Sequence, residues 1–163
     1  MGFSELSTIL WRERQLLELL LFKLEEEQLL LANGRTRWLA HAAREVETVL
    51  EDIRQAELVR AVEVEALVPE LGLASNAALQ DLVEASPSPW NQILAEHREA
   101  FLVSTQEILT LAQANREMIS KGQRAVQEAL GWLSGPGEET TYSRAGTTDS
   151  RHAEVARLLD RVL

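Results

Sequence analysis

Apolar positions recur in alternating steps of three and four along most of this chain, the spacing that keeps one face of a helix dry. Counting back from Trp132 gives Ala129, Ala125, Gly122, Met118, Asn115, Leu111 and Ile108, and the stepping continues through Ser104, Phe101, His97 and Leu94 to Trp90. The spacing predicts one helix over residues 90–133, roughly 65 Å long at ~1.5 Å per residue. "SPSP" at 86–89 supplies the break before it, with Ser88 as N-cap and Pro89 at the first helical position. The late turns of this seam carry Asn, Gly and Ala instead of Leu, so either another helix approaches closely there or something docks there.

A first helix is expected over 5–32, capped by Ser4 or Ser7 and stopped by Asn33-Gly34. Leu10, Leu17, Leu21, Leu24 and Leu31 form its stripe, with Leu16, Leu20 and Leu30 beside it. A stripe that wide calls for two neighbours. Glu25, Glu26 and Glu27 read as a solvated face. A second helix starts by 36–38 and extends to 71, with a seam through Val46, Leu50, Ile53, Glu57, Arg60, Val64, Leu67 and Leu71. Glu57 and Arg60 read as an ion pair one turn apart, at the rim or facing the bundle. Pro69 is placed to kink or end the last turn before Gly72. Residues 73–85 read as a short helix capped by Ser75 or Asn76.

After Leu133 the character changes. "SGPGEETTYSRAGTTDS" at 134–150 has almost nothing to bury and reads as a flexible linker. The last residues, "RHAEVARLLDRVL", regain an amphipathic pattern through Val155, Leu158, Leu159 and Val162. A helix that short is marginal alone. The division is a helical domain over 1–133 and a flexible tail over 134–163, and deletion of the tail should shift the melting temperature little.

At 163 residues, 45% of them apolar, the chain suffices for one domain with a core. Leu, Ala, Glu, Arg and Gln dominate, and no alternating runs suggest strands. The expected fold is all-α: an elongated antiparallel helical bundle or coiled-coil hairpin of three long helices plus one short helix. A formal charge of −10, spread along the chain, argues against a nucleic-acid partner. The absence of cysteine excludes disulfides and thiolate metal sites and fits a reducing cytoplasm. "LLELLLFKL" at 16–24 is too short to span a bilayer and is broken by Glu18 and Lys23, so no membrane insertion is expected. The start "MGFSELSTILWRER" lacks the features of a secretion signal, and Leu6 stands where a myristoylation signal needs Ser or Thr. A soluble, cytoplasmic protein follows.

Chemistry is sparse. His41, His97 and His152 lie far apart, and no Glu-x-x-His pair, phosphate loop, zinc spacing or nucleophile elbow occurs. No catalytic residue, metal or cofactor is expected. Binding remains.

The pattern resembles the FlgN family of flagellar export chaperones over about residues 5–146. The resembling features are the Leu-rich first helix ending in "LLLANGRTRWLAHAAREVETVLEDI", then "AELVRAVEVEALVPELGL", then "NAALQDLVEA" before the Pro-containing break. The final helix adds "LTLAQANREMISKG" and "ALGWL", followed by "TYSRAG" with Tyr142 and Gly146. Family members usually carry Gly directly after that Tyr, where this chain has Ser143. The resemblance implies a cytoplasmic chaperone that holds terminal helical segments of hook-associated (hook–filament junction) proteins and delivers them to the type III export gate.

On that reading Gly122, Ala125 and Ala129 form the floor of a client groove, with Met118, Ile119, Val126, Leu130, Trp132 and Leu133 as walls. Asn115 sits on the same seam as a register-fixing polar group. The competing reading makes 115–133 part of the bundle's own interface. The tail has two routes to function. Either 151–163 occupies the groove and mimics the client, or Tyr142 and Gly146 are the handle for the export gate, which is the preferred route. The alternative function is a coiled-coil adaptor or dimerisation module without chaperone activity, and homo-oligomerisation remains open.

Overall fold

The computed structural model describes residues 2–134. Expectations for Tyr142, Gly146, the linker 135–150 and the segment 151–163 lie outside the described residues. Within them the chain is all-α: α1 (Phe3–Ala32), a 3-10 turn (Thr36–Trp38), α2 (Leu39–Leu71), α3 (Leu79–Ala85) and α4 (Trp90–Ser134).

The helix ends follow local chemistry. Neither Ser4 nor Ser7 caps α1. The Glu5 carboxylate accepts the Gly2 backbone N–H at 2.9 Å instead, and the helix starts at Phe3, earlier than expected. At the other end Gly34 takes a left-handed φ of 63°, and Arg35 N–H closes on Leu30 O at 2.9 Å. Pro69 is accommodated inside the last turn of α2, and Gly72 at φ 67° ends it. The short helix is shorter than 73–85: Asn76 stands left-handed, Ala78 is the N-cap, and Asp81 accepts the Ala78 N–H at 2.8 Å.

α1 is the central element and packs against both α2 and α4, as its wide apolar face requires. α1 and α2 form an antiparallel hairpin. α4 runs parallel to α1: Phe3 stacks on Trp90 at 5.5 Å, Ser7 meets His97, and Leu24 and Glu27 meet Asn115. α3 packs on α4 and buries Leu79 and Leu82. Leu6, Leu10, Leu17, Leu20 and Leu24 supply the α1 side of the core. Val46, Leu50, Ile53 and Leu67 come from α2, and Leu94, Phe101 and Ile108 from α4.

The buried stripe of α1 runs through 6, 10, 13, 17, 20, 24 and 27, so Glu13 and Glu27 occupy seam positions. Glu27 therefore does not belong to the solvated face expected for 25–27. It is 3% exposed. Arg60 does face the bundle, but it donates to Glu13 of α1 at 3.1 Å and so ties two helices together. Between His97 and Asn115 the buried polar position of α4 is Thr105, not Ser104, and its hydroxyl donates back to Phe101 O at 2.6 Å.

Because α1 and α4 advance in parallel, the end of α1 at Ala32 lies beside α4 near residue 120. From 121 to 134 every residue of α4 is exposed. This overhang extends about 21 Å beyond its partner at ~1.5 Å per residue. It leaves from the end of the bundle that carries the α1–α2 connection.

Candidate functional site

The overhang inherits the amphipathic pattern of the packed part of α4. At ~100° per residue, Met118, Ile119, Gly122, Ala125, Val126, Ala129, Leu130, Trp132 and Leu133 fall within one arc of roughly 160°. Lys121, Arg124, Gln127 and Glu128 lie on the other side. The arc continues the face that α4 buries against α1 through Ile108 and Asn115. Its base, at Met118 and Ile119, is half-buried. Beyond that nothing among the described residues covers it: Val126 is 59% exposed, Leu130 56%, Leu133 84% and Trp132 90%. Leu29 and Trp38, at the same end of the bundle, are also exposed.

The expected client-contact residues thus separate into two groups. Asn115 is 2% exposed and belongs to the inside of the bundle. Its Nδ2 donates to Leu24 O at 2.8 Å and lies 3.3 Å from a Glu27 carboxylate oxygen. Its Oδ1 has no partner among the described residues. This position is a polar clamp between α1 and α4, and the physical reason it cannot line an open groove is that α1 already covers it. The other nine residues lie together on the free face or at its base. Gly122 has open space around it: a Cβ there would meet nothing within 4 Å. Among the described residues nothing approaches Gly122 closely enough to require a glycine.

Electrostatics concentrate in the packed region. Burial pushes the Glu13 carboxyl up to about 7, with Arg60 pulling it down and Glu57 adding to the rise. Burial, helped by Arg14, pushes His97 down to about 4. The His97 Nε2 lies 3.2 Å from Ser7 Oγ, the Trp11 ring packs edge-on at 5.2 Å, and Nδ1 is unpartnered among the described residues. These groups lie between helices, in the arrangement of structural polar layers. Among the described residues no cluster of His, Asp and Glu could hold a metal, and no helix is long and apolar enough to cross a membrane.

Sequence reasoning missed Glu13, Glu27 and Thr105 as buried polar residues. The signal was available for the two glutamates, since both fall on the three-four count through Leu6, Leu10, Leu17, Leu20 and Leu24.

No curated protein and no solved structure matches the chain. The family model described as FlgN protein matches residues 1–150. That match takes in every described helix, including the bare end of α4. The chain belongs to the FlgN family, a family of flagellar export chaperones.

Proposed function

We propose that the uncovered face of α4, from Met118 to Leu133, is where this chaperone holds its clients, the terminal amphipathic segments of hook-associated proteins. The observation that carries the reading is the continuity of this face with the core seam while its own bundle leaves it bare. A client helix laid there extends the α1–α4 packing by one more layer. Gly122, Ala125 and Ala129 let the backbones approach, and Val126, Leu130, Trp132 and Leu133 close around the client's apolar side chains. Trp132 is the largest anchor available and fits the hot-spot pattern of a central aromatic. Holding the client's apolar stripe keeps it from the partners it meets on assembly. The face lies on one helix and is shallow, so release needs no unfolding of the chaperone. Delivery to the export gate would use Tyr142 and Gly146, with Tyr142 as the aromatic handle, in the cytoplasm.

Calorimetric titration of a hook–filament junction protein's terminal segment into the full chain tests the reading. Saturable one-to-one binding that Leu130→Asp weakens at least tenfold, with helix content unchanged, supports it. Undiminished binding by Leu130→Asp removes the face from the client site. Self-association of the chain that Leu130→Asp abolishes, without any client binding, would instead make this a dimerisation module.

A further inference from the structure

The chain carries its own segment of the right length, pattern and charge for this face. We propose that residues 151–163 dock on the α4 overhang of the same molecule and act as a displaceable cover. The inference deepens the reading above and rests on it for its biological meaning. It joins the two routes instead of choosing between them, since the cover (151–163) and the handle (Tyr142, Gly146) use different residues, and the contact itself can be measured without any client.

Three observations single out this occupant. The first is position. α4 ends at Ser134, at the outer tip of the overhang, and residues 135–150 separate that tip from Arg151. Extended, such a connection spans up to about 55 Å, against the ~21 Å needed to turn back along the overhang. As a flexible coil its root-mean-square span is about 20–25 Å, which matches the length of the face. The second is pattern. Val155, Leu158, Leu159 and Val162 are spaced by threes and fours, the same intervals that separate Val126, Leu130 and Leu133. In helical form 151–163 is about 20 Å long, so it covers the bare arc with no remainder. The third is charge. The overhang sets Lys121 and Arg124 against Glu128, and the segment sets Arg151, Arg157 and Arg161 against Glu154 and Asp160, so neither carries enough charge to repel the other strongly. A second copy would instead bring a body of −10 against another of −10.

Tethering makes a weak contact sufficient. A connection of 16 residues keeps the segment on the same molecule, and at the millimolar local concentration typical of short tethers even millimolar intrinsic affinity populates the covered state about half the time. A cover that weak keeps the apolar arc from indiscriminate association, and a client with a longer apolar stripe displaces it. Client affinity in the full chain is then reduced by the covered fraction, about twofold to tenfold.

The test uses the absence of cysteine. A nitroxide on the single thiol of Arg157→Cys, on the polar side of the segment, reports proximity in the ¹⁵N spectrum of the full chain. Docking predicts that amides of 119–133 lose at least half their intensity, independently of protein concentration, and regain most of it in the added Leu158→Asp/Leu159→Asp variant. Overhang signals that stay intact overturn the proposal. So does broadening that persists undiminished in the Asp variant, which would reflect tethering alone. Broadening that appears only when spin-labelled ¹⁴N chain is mixed with unlabelled ¹⁵N chain would identify a second copy as the occupant and overturn it as well. Loss of the contact with client binding still mapped to 118–133 refutes the cover and leaves the client site standing. Persistence of the contact without client binding refutes the client reading alone.

Discussion

Two stretches of α4 have nearly the same sequence pattern and opposite surroundings. Residues 94–115 place Leu94, His97, Phe101, Thr105, Ile108 and Asn115 out of contact with water against α1 and α3. Residues 121–134 repeat the spacing and bury nothing. The difference lies in the lengths of the neighbours: α1 stops at Ala32, and α4 continues past it. Periodicity therefore reports that a face is meant to be covered, without reporting by what. Residue size gives a second clue. The covered stretch uses Leu, Ile and Phe, which fill a fixed space, and the bare stretch puts Gly122, Ala125 and Ala129 on the line where a new backbone would come closest.

The sharpest way to break this comparison is truncation of one large side chain in each stretch. Phe101→Ala should cost about 3–5 kcal/mol in chemical denaturation, because it leaves a cavity in the core. Leu130→Ala should stay within about 0.5 kcal/mol, as at other exposed positions. A Leu130→Ala loss comparable to that of Phe101→Ala would mean the overhang is packed in solution and the two stretches do not differ.

The polar layers sharpen the same contrast through pH. Glu13 keeps, in the folded chain, a proton that the unfolded chain releases near 4.5, so its contribution to stability declines as pH rises from 4.5 to about 7. His97 refuses a proton that the unfolded chain accepts near 6.5, so its contribution grows as pH rises from about 4 to 6.5. The two oppose each other over most of that window. Glu13→Gln should therefore unmask a stability that climbs from pH 4 to 6.5, and His97→Gln one that falls from pH 4.5 to 7. Each slope should amount to on the order of 2 kcal/mol in denaturation at a series of pH values. Identical profiles for both variants would mean these groups are not desolvated.

Asn115 marks the boundary between the stretches. A polar group that only fixes register costs stability, which would make Asn115→Leu neutral or stabilising. The structure reverses that expectation, since the substitution removes the donor to Leu24 O and takes a hydrogen bond from the buried Glu27 carboxylate. A loss of about 1–3 kcal/mol is expected, measured by the same denaturation. The smallest effect belongs to Gly122. With open space around it, Gly122→Ala should leave stability unchanged or raise helicity, by at most about 1 kcal/mol, read by circular dichroism. Gly122→Leu should be equally harmless to the fold while reducing client capture.

Much of the fold could be read from the residues, and for identifiable reasons. Asn33-Gly34, Gly72 and the Pro-containing break at 86–89 end helices by backbone chemistry that needs no tertiary context. The width of the α1 stripe foretold two neighbours, and α1 has α2 and α4. The misreadings came where the partner of a side chain is distant in sequence. Arg60 was matched to Glu57 one turn away because Glu13, on another helix, could not be foreseen as its acceptor. The count along α1 does put Glu27 on the seam, but what makes a carboxylate tolerable there, Asn115 standing opposite, is 88 residues away. The groove residues were legible as a face. That nine of them lie free or at the free base, and that Asn115 does not, depended on where α1 ends.

Hydrogen exchange on the full chain, with and without a hook–filament junction protein's terminal segment, tests the central claim most directly. The account predicts that amides of 119–133 exchange fast in the free chain and gain the largest protection when the segment binds, while those of 94–111 are already slow and change little. Binding that leaves 119–133 unprotected, with protection appearing on α2 or α3 instead, would contradict it.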